Sequence, residues 1–205
     1  MSAIVLGQGD ALLIVDLQVD FLPGGSLGVP QGDQVVAPVN RLIALYRERE
    51  LPVYASRDWH PASHCSFAAH GGPWPPHCVA GTAGAAFCAE LRLPPDAVIV
   101  SKADTAGVDA YSAFGGTGLA QHMRERGIRR LAVCGLATDY CVLSTVLDGL
   151  AEGIEVLLVA EAARAVDVQP GDGDRAMARM LAAGAVPVRL SGEAMVADVA
   201  LGALP

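Results

Sequence analysis

The sequence predicts an α/β fold: a single-domain, doubly wound (Rossmann-like) parallel sheet of six strands with helices on both faces. Three observations predict it. Short apolar, β-branched runs alternate with stretches whose apolar positions recur three and four apart, the rhythm of strand–helix–strand units. The strand runs are apolar throughout rather than every second residue, as strands covered by helices on both faces require. At 205 residues and 52% hydrophobic, the chain can bury one sizeable core and is short for two.

The elements follow in order. Ala11–Leu17 is the first strand run, and Val35–Arg49 carries the first helical pattern. Pro52–Ser56 and Ala97–Val100 are the second and third strand runs, with a long irregular stretch between them. Leu119–Arg126 is helical and stops before Gly127; Leu131–Gly135 is the fourth strand run. Thr138–Glu152 is helical and ends at Gly153, Glu155–Val159 is the fifth strand, Asp174–Ala183 a helix ending at Gly184, and Val186–Leu190 the sixth strand. Glycine just past a helix end supplies the left-handed residue that terminates it.

In such sheets ligands bind beyond the carboxyl ends of the strands. Asp16 ends the first run, Asp58 and His60 follow the second, Lys102 the third, and Cys141 lies just past the fourth. Thr138 or Asp139 would cap the helix that begins there, placing Cys141 in its first turn. Free backbone N–H groups and the helix dipole at that position favour a thiolate and can hold an oxyanion. A buried structural cysteine is the alternative from this segment alone. Asp16 could accept the thiol proton and Lys102 could stabilise the thiolate; taken singly, the one could cap a turn and the other lie on the surface.

Pro61 to about Thr82 breaks the rhythm, being rich in Pro, Gly and His without a period, and Trp74-Pro75-Pro76 at its centre points to an ordered lid. Asp58-Trp59-His60 puts a carboxylate and an imidazole two residues apart, on one side of an extended chain. With His64, His70 and His77 the segment holds four of the five histidines within eighteen residues. A metal site over 58–82 is the reading; a solvated His-rich loop is the alternative. Mixed carboxylate and imidazole donors suit one divalent metal, Zn²⁺ first, with Fe²⁺ or Mn²⁺ also compatible, and Cys65 or Cys78 could add a thiolate.

Composition narrows the partners. A net charge of −8 and a pI near 5.0 give nucleic acid and anionic membranes no electrostatic attraction. Arg124, Arg126, Arg129 and Arg130 fall where a helix ends, complementing its dipole. Ala11–Val15 and Leu131–Ala137 are the longest apolar runs, well below the roughly 18 residues of a membrane span. Five cysteines without a C-x-x-C pair, and a start lacking a signal pattern, predict free thiols in the cytoplasm. Gly24-Gly-Ser-Leu-Gly28 fits G-x-S-x-G but has neither strand before nor helix after it, so it is a turn. Gly7-Gln-Gly9 precedes a strand, which excludes a dinucleotide fingerprint.

These residues together resemble the nicotinamidase/pyrazinamidase family of isochorismatase-like cysteine hydrolases. The resemblance rests on Val15-Asp-Leu-Gln-Val-Asp-Phe21 with Gly24-Gly-Ser-Leu27, Asp58-Trp-His-Pro61 with His64 and Ser66-Phe67, Trp74-Pro-Pro-His-Cys-Val-Ala-Gly-Thr82, Lys102, and Gly135-Leu-Ala-Thr-Asp-Tyr-Cys-Val142. It covers most of the chain as one domain, 1–205. It implies Asp16 as general base and acid, Lys102 as electrostatic support and Cys141 as nucleophile. It also implies a cis Leu136–Ala137 peptide, with the N–H groups of Ala137 and Cys141 as oxyanion hole. Asp58, His60 and His77 would hold the metal, with His64 a fourth ligand in some members. Phe21, Trp74, Tyr111, Leu136 and Ala137 would bind the substrate, nicotinamide or a similar aromatic amide, in NAD salvage; a homo-oligomer is compatible with it. Val19 stands where the family usually has Asn, and Ala103 where Gly is common, which touches pocket geometry and removes no catalytic group. The rivals are a related amidase of carbamoyl or ureido substrates, an isochorismatase, which the presence of Cys141 opposes, and a non-catalytic zinc-binding protein of the same fold.

Overall fold

Asp10–Val15 forms strand β1, buried at every position, and alternation along it builds two cores. Leu12 and Ile14 point to one side, where they meet Val39, Leu42, Ile43 and Tyr46 of helix α1, Val36–Arg47. Ala11, Leu13 and Val15 point to the other. There they meet Leu119 and Met123 of α2, Leu119–Glu125, Val146 of α3, Leu143–Ala151, and Met180 of α4, Asp172–Ala182. A strand covered on both faces must be apolar on both, which is why the sequence run shows no polar alternation. The computed structural model describes residues 3–198 and 200–201.

The remaining strands are β2 Val53–Asp58, β3 Val98–Lys102, β4 Arg130–Leu136, β5 Glu155–Arg164, β6 Val186–Ser191 and β7 Ala194–Ala197. They form one sheet in the order β3-β2-β1-β4-β5-β6-β7. Its pairs are parallel up to β6, and β7 turns back antiparallel on β6. The sheet therefore has seven strands, not six. β7 escapes the periodicity because it is four residues long and follows a tight Ser191-Gly192-Glu193 turn with Gly192 at φ 61°. No helix among the described residues is long and apolar enough to cross a membrane.

The chain runs outward from β1 through β2 to β3, then returns to lay β4 on the other side of β1. β1 and β4 are thus the neighbours at which the winding reverses, and a crevice opens at their carboxyl ends. Gly135 makes that junction close. Its φ is +117°, and a Cβ there would lie 2.1 Å from the Val15 carbonyl oxygen. Gly135→Ala is expected to cost at least about 3 kcal/mol, seen as a Tm lowered by roughly 6–12 °C; an unchanged Tm would show that β1 and β4 can separate freely. Just before this junction, the β4·β5 register slips between Val133 and Gly135, and β5 runs on to Arg164, further than its apolar run suggests. The helix expected over Thr138–Glu152 divides: Thr138–Val142 is a π-helical turn and α3 follows.

Candidate active site

Four neighbouring strand ends meet at this crevice. Asp16 follows β1 directly and has left extended geometry, at φ 47°. Asp58 ends β2, Lys102 ends β3, and Cys141 sits in the π-helical turn after β4. The Lys102 ammonium, 1% exposed, lies 3.0 Å from Asp16 Oδ2 and 2.5 Å from Asp58 Oδ1. It also donates to the Ala110 carbonyl at 3.2 Å and sits 3.5 Å from Cys141 Sγ. β3 is separated from β1 by β2, so only a side chain as long as lysine, passing over β2, can join these groups. Asp16, Asp58 and Cys141 present atoms all within 4.8 Å of one another.

Burial sets the protonation states. It pushes the Asp16 carboxyl up from its ordinary value; Lys102 opposes this, Asp58 adds to it, and the Ser56 hydroxyl, donating to Asp16 Oδ1 at 2.7 Å, opposes it. For Asp58, burial also resists ionisation, but the Lys102 ammonium beside it outweighs this and holds the carboxyl well below the usual range. Burial keeps Cys141 well above an ordinary thiol, with Lys102 pulling down and the two aspartates pushing up. Burial therefore favours the Cys141 thiol, beside a carboxyl group, over the thiolate that its helix-start position alone suggests. Lys102 stays an ammonium, its burial outweighed by the carboxylates around it.

A second cluster lies beside the first. Asp58, His60 and His77 present atoms within 4.8 Å of one another. His60 Nδ1 faces the Ala103 carbonyl at 3.1 Å and His77 Nδ1 the Pro75 carbonyl at 2.8 Å. These carbonyls accept only from an Nδ1–H, which fixes the tautomer with the lone pair on Nε2. His60 Nε2 is buried with no hydrogen-bond partner. An orphaned imidazole lone pair beside a carboxylate, each ring braced from behind, fits a divalent metal. His64 is not brought into this set: its Nδ1 pairs with Ser66 Oγ at 2.8 Å and its Nε2 with the Val108 carbonyl at 3.1 Å, while its ring stacks on His60 at 4.2 Å. His70 is exposed, and Cys78 lies outside the cluster. All five cysteines are free.

Between the clusters is a small, largely apolar pocket. Phe21, Trp74, Tyr111 and Ala137 line it, with Asp58, His77 and Cys141. Leu136 does not line it: the residue is fully buried, with Cδ1 packed against Gly32. The peptide from it to Ala137 is cis, and the Ala137 carbonyl accepts the N–H groups of Tyr140 and Val142. Trp74 Nε1 donates to the Tyr111 hydroxyl at 3.0 Å, and Tyr140 packs against both rings at 5.2 and 5.6 Å.

Sequence reasoning missed Tyr140, Leu27, Val29 and Val166 in the wall, and Ser56 and Gln18 behind it. Two had a readable signal: Ser56 is two residues before Asp58 in a strand and so faces the same side, and Tyr140 adjoins the thiol. The Gln18 amide binds both backbone groups of Asp58, accepting its N–H and donating to its carbonyl at 2.8 Å each, and also donates to Ala85. Asp139 accepts the N–H groups of Val166 and Asp167 at 2.9 Å, which brings Val166 to the pocket.

The chain matches the isochorismatase domain model over residues 10–191. It is 42% identical over 196 residues to a nicotinamidase of Escherichia coli (strain K12), spanning 85% of this chain and 92% of that one. Among solved structures it resembles a pyrazinamidase of Pyrococcus horikoshii in complex with zinc, at 46% identity and TM-score 0.85, covering 89% of this chain and 99% of that chain. It also resembles an L. infantum protein in complex with nicotinate, at 38% identity and TM-score 0.85, covering 92% and 96%.

Proposed function

The chain belongs to the isochorismatase family, on its nicotinamidase/pyrazinamidase branch, and is a hydrolase acting on an amide bond; from that premise we propose that it converts nicotinamide to nicotinate and ammonia through a thioester on Cys141, as a step of pyridine-nucleotide salvage. The observation that supports the reading is Lys102 holding Asp16, Asp58 and Cys141 together beside an aromatic pocket that Asp58 and Cys141 line.

Phe21, Trp74, Tyr111 and Tyr140 pack the substrate ring and exclude water, presenting the carboxamide carbon to Cys141 Sγ. Asp16 takes the thiol proton as Sγ attacks, so charge on sulfur never builds up in the buried site. The oxyanion is received by the N–H groups of Ala137 and Cys141, each such donor being worth about 2.7–4 kcal/mol in the barrier. Asp16 returns its proton to the leaving nitrogen and ammonia departs; Asp16 then deprotonates the water that attacks the thioester and passes that proton to the departing Cys141 sulfur, which restores the thiol and the carboxylate. Lys102 keeps its positive charge throughout and balances the carboxylates. Asp58, His60 and His77 would hold the divalent metal, Zn²⁺ suiting the donor set with Fe²⁺ or Mn²⁺ also compatible, and when bound it supplies a Lewis-acidic centre for the ring nitrogen.

Ammonia release from nicotinamide, and from pyrazinamide, tests the activity directly. Chelated protein is expected to lose at least about tenfold in kcat/KM and recover it with Zn²⁺; full activity after verified metal removal would refute the metal role. The acid limb of kcat/KM, measured at saturating metal, is expected above the ordinary carboxylate range, because protonated Asp16 cannot accept the thiol proton. Removing the Ser56 hydroxyl raises the Asp16 pKa further, so Ser56→Ala moves that limb to higher pH; a limb unmoved by Ser56→Ala would mean that Asp16 is not the group being titrated.

A further inference from the structure

Asp20 does not line the pocket and bonds to none of the groups given a chemical role, yet it is a buried carboxylate that ties together two loop segments, 26–27 and 78. Its Oδ2 accepts the N–H of Cys78 at 2.7 Å, and its Oδ1 the N–H of Ser26 at 3.3 Å. Its main-chain carbonyl accepts the N–H of Leu27 at 3.0 Å. Leu27 lines the pocket, Ser26 directly precedes Leu27, and Cys78 directly follows the pocket residue His77.

Cys78 is the informative contact. It is fully buried and left-handed, at φ 46°, a conformation unfavourable for a residue with a Cβ. Such a residue persists only where its surroundings over-determine it. Both its backbone groups are fixed: the N–H by Asp20, and the carbonyl by the N–H of His60 at 3.0 Å. A hydrogen-bonded line thus runs from the Asp20 carboxylate through the Cys78 peptide groups to the backbone of His60, with His77 attached beside it. The space around the carboxylate is fitted to it, since a Cβ on Gly84 would lie 2.1 Å from Oδ2.

We propose that Asp20 is a positioning residue for the metal centre, setting the distance between His60 and His77 by holding Cys78 in its left-handed turn. This rests on the reading of Asp58, His60 and His77 as metal ligands. Asp20 binds no metal itself; a carboxylate is used because one charged oxygen makes the strong bond to the buried Cys78 N–H while the other remains for Ser26.

The test is the Zn²⁺ affinity of the full-length protein, measured by competition with a chelator, for wild type, Asp20→Ala, Asp20→Asn, Gly84→Ala and the Asp20→Ala/Gly84→Ala pair. Asp20→Ala is expected to weaken Zn²⁺ binding about 10–100-fold, the range for residues that brace metal ligands, with kcat at saturating Zn²⁺ changed much less. Asp20→Asn, which keeps one acceptor, falls between Asp20→Ala and wild type. Gly84→Ala, which displaces the carboxylate and leaves its charge, weakens Zn²⁺ binding in the same direction. The double variant is no weaker than Asp20→Ala, because both act through one bond. Wild-type affinity in Asp20→Ala, or in Asp20→Asn should the alanine variant not fold, overturns the proposal, as does full additivity of the pair. His77→Ala separates the two readings: if it too binds Zn²⁺ as wild type does, the metal centre itself is misassigned, whereas loss in His77→Ala with none at Asp20 refutes only the positioning role.

Discussion

Cys141→Ala is expected to lower ammonia release from nicotinamide by about 10⁵-fold, the scale on which removing a nucleophile that works as a unit with its base disables an enzyme. The size follows from the geometry. Cys141 is the one sulfur that lines the pocket, within reach of the Asp16 carboxylate and 3.5 Å from the Lys102 ammonium. The residue is small and its replacement leaves the ring-packing walls in place, so nicotinate binding should stay within a few-fold of wild type while turnover is lost. Asp16→Asn should fall nearly as far, and the double variant little further than either single one, because proton acceptance and attack are one event. Turnover of the alanine variant within tenfold of wild type would remove Cys141 from the chemistry.

Lys102→Met should have the largest effect on stability, a loss of roughly 3–5 kcal/mol in chelated protein. Wild type buries one ammonium between two carboxylates; the variant leaves the carboxylates facing each other without it. The sign of the pH dependence follows. The folded-state pKa of Lys102 is raised, so its stabilisation is fully present below the unfolded-state value near 10.4 and is lost only at higher pH. Between pH 5 and 8 the lysine therefore adds no slope of its own. In the variant Asp16 and Asp58 escape repulsion by taking up protons, which costs more as pH rises, up to about 1.4 kcal/mol per pH unit for each proton. Denaturant unfolding should show a larger gap from wild type at pH 8 than at pH 5. An equal gap at both would mean that the carboxylates are not coupled through Lys102.

The strand ends were legible because each apolar run stops at a polar residue, and in a parallel sheet such residues share one edge. Asp16, Asp58, Lys102 and Cys141 could be collected on that rule before any coordinate was known. The rule gives no distances, so it could not say that Lys102 must reach over β2, or that the same ammonium binds Asp58 and thereby couples the two clusters. The His-rich segment was legible by composition alone. Which histidines converge depends on carbonyl partners, Ala103 for His60 and Pro75 for His77 against Ser66 and Val108 for His64, and those are set by loop paths that no periodicity encodes. Leu136 was misplaced for a similar reason: the residue before Ala137 is close to the pocket in sequence, yet its side chain points to the core side. β7 was missed because four residues carry too little pattern to be distinguished from a tail.

Gln18 carries a consequence for how the molecule ages. β1 leaves the sheet at Asp16, and from there the Gln18 side chain stands in for a peptide group, giving Asp58 the acceptor and the donor that a neighbouring strand would have given. Both hydrogens of its amide nitrogen are engaged, by the carbonyls of Asp58 and Ala85. Deamidation to glutamate would replace that nitrogen with an oxygen facing two carbonyl oxygens in a fully buried space. A lesion of this kind, chemically the same conversion of carboxamide to carboxylate that the enzyme performs on its substrate, would loosen the end of β2 while leaving every pocket side chain unaltered.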